Sequence, residues 1–234
     1  MHWPQITWIV LVAMSFTIHM VNQGKPLEGK YSPLRSLIRI SLTTGLMWAG
    51  GFFTPAHAQI PAAAAKYRQD LVRAAHNQWG LDAPVAALAA QVHQESGWNP
   101  LAVSAVGAKG MAQFMPATAN WWCQQNGLSA ANCQPSNPTW ALRALVGYDK
   151  WLHDRVPERF AAHDRLWVAL RAYNGGLGHW QAEAKLATQN TREAIDAACG
   201  KARRHVSFCA ENLGYPARIL GKLQPLYGAW GAVV

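Results

Sequence analysis

The chain has 234 residues, half of them hydrophobic and only 14% charged, with 21 Lys and Arg against 12 Asp and Glu for a formal net charge of +9. No internal repeat or low-complexity tract interrupts it. The basic balance suits an anionic polymer, and no recognition motif or basic stripe beyond the short Arg203-Arg204 run supports nucleic acid as the partner.

Residues 1–58 differ in character from the rest. Ile6 to Val21 is an apolar stretch of about 16 residues, short against the ~20 of a membrane span. Lys25, Lys30, Arg35 and Arg39 follow, then a second apolar stretch from Ile40 to Phe53, then Thr54-Pro55-Ala56-His57-Ala58. Residues 25–58 read as a basic region, an apolar region and an A-x-A cleavage site, which predicts export, cleavage near Ala58 and a periplasmic or secreted chain beginning at Gln59. A retained inner-membrane anchor or hairpin is the alternative, as is translation starting near Leu34. Any membrane contact would run through this segment alone.

Residues 59–234 suffice for one filled core, with Pro61 to Ala65 as a short linker. Their pattern is all-α, with helices over 66–79, 83–96, 116–126, 138–155, 162–173, 178–188, 191–199, 205–212 and 216–227, and a small strand or irregular element between 100 and 113. In 83–96, Asp82 is placed to cap the helix and Pro84 suits its first turn. Val85, Leu88 and Val92 recur at helical spacing, and Glu95 continues their stripe just before Gly97 and Pro100 stop the helix. Burial there disfavours the ionised carboxyl, as an acid working near neutral pH requires; the alternative is a solvated or capping glutamate. No Asp or Glu follows until Asp149.

The run Ser104 to Ala119 is rich in glycine, which lets backbone turn tightly beside a ligand, and Gln113 in it offers both donor and acceptor. Asn137-Pro138 starts the helix 138–155, with Leu142, Leu145, Tyr148 and Leu152 along one side. Asp149, Asp154, Glu158 and Asp164, in or beside this charged stretch, read as solvated surface. Arg171-Ala172-Tyr173-Asn174-Gly175-Gly176 ends an amphipathic run with a phenol and an amide where glycines break the helix.

Three of these segments resemble the signatures of the soluble lytic transglycosylase catalytic domains, bacterial enzymes that cleave peptidoglycan and share a goose-type lysozyme-like fold. They are E-S-x-W-N-P from Glu95, S-x-x-G-A-x-G-x-x-Q-x-M-P from Ser104 to Pro116, and A-Y-N-x-G from Ala172, within a resemblance covering roughly residues 66–185. The resemblance implies a single lysozyme-like catalytic domain over 59–234 with Glu95 as catalytic acid and base. It implies that Ser104 orients the acid or the substrate, that Gln113 and Met115 line the sugar cleft, and that Tyr173 and Asn174 lie beside the reacting ring. Met111-Ala112 departs from the Leu-Met often found before the glutamine, an apolar exchange that bears on cleft shape alone.

Glycosidases usually work with two carboxylates. With no acid between Glu95 and Asp149, a single-acid reaction is favoured, closing a 1,6-anhydro ring on muramic acid instead of admitting water. No His or Cys spacing resembles a catalytic metal site, and no cofactor is called for. A hydrolysing muramidase and a non-catalytic wall-binding protein are the alternatives. Service to a secretion, conjugation or phage apparatus of the envelope is a further expectation.

Nine of the 12 tryptophans follow residue 58, where 17 Lys and Arg face 11 Asp and Glu. Trp98 and Trp180 adjoin the signatures and are candidates for stacking on sugar, whereas Trp167 on its helix stripe reads as packing. Cys123, Cys133, Cys199 and Cys209 form C-x9-C twice, which after an export signal reads as two disulfides. Three pairings exist, with 123–133 and 199–209 favoured, each contributing ~2–3 kcal/mol. Zinc is the rival but lacks close C-x-x-C pairs. The 199–209 segment, beyond all three signatures, is expected to support stability rather than chemistry.

Overall fold

The computed structural model describes residues 59–233. The expected leader, anchor and cleavage site fall outside them. Among the described residues no helix is long and apolar enough to cross a membrane. The architecture is helical: α1 (Ala64–Trp79), α2 (Val85–Ser96), α3 (Pro116–Gln125), α4 (Pro138–His153), α5 (Ala162–Gly175), α6 (Leu177–Ala184), α7 (Arg192–Asp196) and α8 (Cys209–Arg218). A π-helical turn Ile219–Leu223 and a 3₁₀ helix Gln224–Trp230 continue directly from α8.

α1 buries Ala64, Tyr67, Leu71, Ala74 and Ala75, the three- and four-residue spacing of one helix face, and lays that face on α4. α4 starts where Asn137 accepts hydrogen bonds from the Thr139 and Trp140 amides at 3.0 and 3.2 Å, with Pro138 in the first turn. α2 is covered nearly all round. Every residue from Val85 to Val92 is buried, with α1 on one side and the π and 3₁₀ segments on another. Its alanines let those neighbours approach closely, and a helix so enclosed presents its last turn in a fixed place.

Two local expectations change. Asp82 is exposed and caps nothing; Ala83 and Pro84 are buried instead, and α2 starts at Val85 without a side-chain cap. Burying that apolar pair turns Asp82 outward. At the C-terminus, the expected break between 212 and 216 is absent, because α8 runs through Pro216. Burial of Tyr215, Pro216 and Ile219 holds the helix together. The hydrogen bond that proline cannot donate is followed by the wider π turn. The irregular element between 100 and 113 consists of isolated bridges, Lys109 pairing with Val103 and with Phe114.

Candidate active site

The end of α2 is clamped. Gly97 takes the left-handed conformation (φ 60°) that lets its amide reach back to the His93 carbonyl at 3.0 Å. Trp98 follows it there (φ 67°), where a bulky residue is seldom found. Its indole Nε1 donates to the Tyr227 hydroxyl at 2.8 Å, and that hydroxyl lies 3.1 Å from His93 Nδ1. Burial lowers the His93 pKa, which favours the neutral ring in this contact. Trp98 is therefore fully buried against Tyr227 and Trp230 and cannot stack on a sugar. Trp180 is buried against Phe160, which removes the second stacking candidate. Both rings were expected in the groove because they adjoin signatures; both serve as anchors.

Glu95, one residue before the end of α2, is half-buried, and the Tyr215 hydroxyl of α8 donates to its Oε1. Burial raises its pKa to about 7, with the Glu211 charge adding to the rise and the Tyr215 bond opposing it. The negative end of the α2 dipole acts in the same direction as burial. The acid is thus balanced between its two protonation states near neutral pH.

Asp149 overturns its reading as solvated surface. It is wholly buried on α4 and accepts a hydrogen bond from Gln91 Nε2 of α2 at 3.3 Å. α4 lies between α1 and α5, so this position points inward despite the charged residues around it in sequence. Burial pushes the Asp149 carboxyl well above the usual carboxylate range. Asp154 and Glu158 are exposed as expected, while Asp164 is half-buried and bound by Arg192 at 3.1 Å.

The glycine-rich loop folds against this pair of helices. Gly110 has φ 74° and faces the Pro135 carbonyl so closely that a side chain would collide with backbone. Gln113 is left-handed (φ 48°), and its Nε2 donates to the carbonyls of Gly110 at 2.8 Å and Ala102 at 3.2 Å. The amide nitrogen closes the loop, leaving Oε1 as the polar atom a ligand can use. Ser104 accepts from the Ala108 amide at 3.0 Å and supports the same loop. Ser96 donates to the Met111 carbonyl at 2.9 Å and Tyr173 to the Ala112 carbonyl at 2.7 Å, so the first and third signatures both bind the second. Met115 is exposed at the mouth of α3.

Asn174 is exposed, and its Oδ1 accepts from Asn212 Nδ2 at 3.0 Å. Asn212 also accepts from Arg171 Nε at 2.9 Å. Arg171, fully buried, pairs with Glu183 and with Asp196, the latter at 2.7 Å. Arg204 joins Glu183 at 3.0 Å and donates to the Gly175 carbonyl at 3.3 Å. The disulfides are Cys123–Cys133 and Cys199–Cys209, the favoured pairing. The second one fastens the start of α8, which carries Asn212 and Tyr215. The 199–209 segment thus ends at the helix that carries Tyr215 to Glu95. Tyr215, Asn212, Gln91 and Asp149 were missed by sequence reasoning; only the spacing of Gln91 four residues before Glu95 offered a signal.

A groove of about 680 Å³ between α1 and α4, lined by Asp70, Arg73, Thr139 and Arg143, contains none of these residues. The acid lies instead where the three signatures meet.

Known proteins resemble this chain in sequence and in fold. The membrane-bound lytic murein transglycosylases F of Alcanivorax borkumensis and Maricaulis maris are each 37% identical to the chain, over 121 and 106 residues. These matches take 52% and 45% of this chain but only 24% and 22% of the relatives, so the chain spans about a quarter of their length. Among solved structures, an inactive mutant of the lytic transglycosylase Slt from Pseudomonas aeruginosa superposes with a TM-score of 0.53 at 26% identity, covering 70% of this chain and 24% of that one. The 70 kDa soluble lytic transglycosylase of Escherichia coli shares the fold, with a TM-score of 0.55 at 22% identity, over 71% of this chain and 25% of that one. The model of the transglycosylase SLT domain matches residues 70–195, a span that holds all three signatures and Glu95, and the chain belongs to that family.

Proposed function

We propose that the chain is a lytic transglycosylase that cuts the β-1,4 bond between N-acetylmuramic acid and N-acetylglucosamine in peptidoglycan. The observation that carries this reading is Glu95, an acid poised near neutrality by burial and oriented by Tyr215. Its proton goes to the bridging oxygen as the C1–O bond breaks. The N-acetyl oxygen of the same sugar stabilises the charge at C1. Glu95, now a carboxylate, takes the proton of the C6 hydroxyl while that oxygen bonds to C1, closing the 1,6-anhydro ring and restoring the acid. Gln113 Oε1, Asn174 and Met115 line the cleft, with Ser104 and Tyr173 bracing the loop between them. The domain spans residues 59–234 and acts on the wall from the periplasmic side or outside, with residues 1–58 directing it there. Local opening of the wall for an envelope-spanning secretion, conjugation or phage machine fits a domain of this size.

The test is mass spectrometry of fragments released from purified sacculi by the full chain. 1,6-anhydro-muropeptides are expected. Reducing-end fragments alone would mean hydrolysis, the reading that a second carboxyl group, Asp149, brings forward.

A further inference from the structure

Gln91 and Asp149 are each fully buried, and one hydrogen bond joins them, Gln91 Nε2 to Asp149 Oδ1 at 3.3 Å. Gln91 Oε1 and Asp149 Oδ2, the remaining polar atoms of the two acceptor groups, have no partner among the described residues. As a carboxylate, Asp149 would leave a charged oxygen unpaired in the interior, beside a glutamine oxygen that can only accept. Such an arrangement is costly. A single proton on Oδ2 removes both deficits, because an acid and an amide facing each other satisfy two donors and two acceptors in one ring.

Among the described residues no cation is paired with Asp149 to hold a carboxylate there. The titratable groups that act on Asp149 or are acted on by it are Glu95 on α2, Tyr148 on α4, Tyr173 on α5 and Tyr215 on α8. These are one acid and three phenols. Gln91 also precedes Glu95 by four residues, so it occupies the same face of α2 one turn earlier.

We propose that Asp149 is a neutral positioning acid: it keeps its proton on Oδ2, donates it to Gln91 Oε1, and ties the turn before Glu95 to α4 without adding a second charge to the centre. The role rests on the reading of Glu95 as the catalytic acid. It explains how two carboxyl groups share one centre while only one changes charge in the working range. An acid that holds its proton in a buried pair cannot serve as the carboxylate that activates water, so the pair favours ring closure over hydrolysis. Burial and the Glu95 charge both strengthen the hold on that proton.

Infrared spectroscopy of the full-length protein at pH 7 tests the protonation directly. A carboxylic-acid carbonyl band that survives in Glu95→Gln and disappears in the Glu95→Gln, Asp149→Asn double variant is expected; its absence from Glu95→Gln would overturn the proposal. Stability gives a second reading. Above the ordinary Asp pKa of ~3.9 the unfolded chain loses a proton that the folded chain keeps, so wild-type stability falls as pH rises, whereas the asparagine has none to lose. The ratio of the wild-type unfolding constant to that of Asp149→Asn should grow about tenfold per pH unit between ~5 and ~7. A ratio constant with pH would overturn the proposal. Turnover separates positioning from packing: Asp149→Ala should lower kcat with KM held, and Asp149→Asn should restore it. Asparagine as impaired as alanine, or an alkaline activity limb moved to lower pH in Asp149→Asn, would show that a charge had been needed. The spectroscopic and stability results do not depend on turnover. Sacculi yielding no anhydro products beside a retained acid band would refute the function and leave the pair standing.

Discussion

Buried acids occur in two regions of this molecule and are handled in opposite ways. At the end of α2, Glu95 and Asp149 meet phenols and amides: Tyr215, Tyr173 and Gln91. Beside α5, Glu183 and Asp196 meet the guanidinium groups of Arg171, Arg204 and Arg192. Burial penalises charge in both places. Where matched cations are supplied, the carboxyl groups become ends of a structural ion-pair cluster. Where only neutral donors are supplied, burial strengthens the carboxyl group's hold on its proton. The two regions are joined mechanically, because α5 carries both Arg171 and Tyr173 and α8 carries both Asn212 and Tyr215. Gly175 fits this junction for the same reason, since a side chain there would collide with Arg204 and Asn212.

The sharpest way to break the contrast is Glu95→Gln. It should remove turnover by ~10²–10⁴-fold, because an amide donates no proton to the leaving oxygen. It should also stabilise the protein. With its pKa raised from 4.5 to about 7, the folded acid keeps a proton that the unfolded chain loses, so wild-type stability declines as pH rises through that window and levels off above it. The variant should gain up to ~3 kcal/mol over wild type at pH 8 and little at pH 4. Muropeptide release and denaturation at both pH values check the two halves; equal stability differences at pH 4 and pH 8 would contradict the assigned proton.

Arg171→Met probes the other region. It leaves Glu183 and Asp196 short of a buried partner and should cost ~3–5 kcal/mol, read by urea denaturation. Here the sign is opposite to that of Glu95→Gln at neutral pH. A loss below ~1 kcal/mol would show that the ion cluster is not the tie described. Tyr215→Phe has the smallest effect and tests the junction. It keeps the ring and removes one hydrogen bond, worth ~1 kcal/mol net. Since that bond lowers the Glu95 pKa, its loss should move the alkaline limb of kcat/KM to higher pH. A pH profile unchanged by this substitution would separate α8 from the acid.

The sequence by itself determined the helical class, the three signatures and the place of Glu95 on a helix stripe, and it favoured the pairing of nearby cysteines without excluding the other two. Each of these is written in spacing along one element or one short loop. Tertiary structure alone decided which chains of side chains close over the acid. Tyr215 lies 120 residues from Glu95 in sequence, within a C-terminal stretch whose expected helix break does not occur. Asp149 sits among charged neighbours that suggest surface, and only the packing of α4 between α1 and α5 turns it inward. Trp98 adjoins the acid in sequence yet is drawn into the core by Tyr227 and Trp230, which follow it by more than a hundred residues. The division has a physical cause: periodicity reports which face of an element is apolar, but a pKa is set by whatever other elements bring to that face.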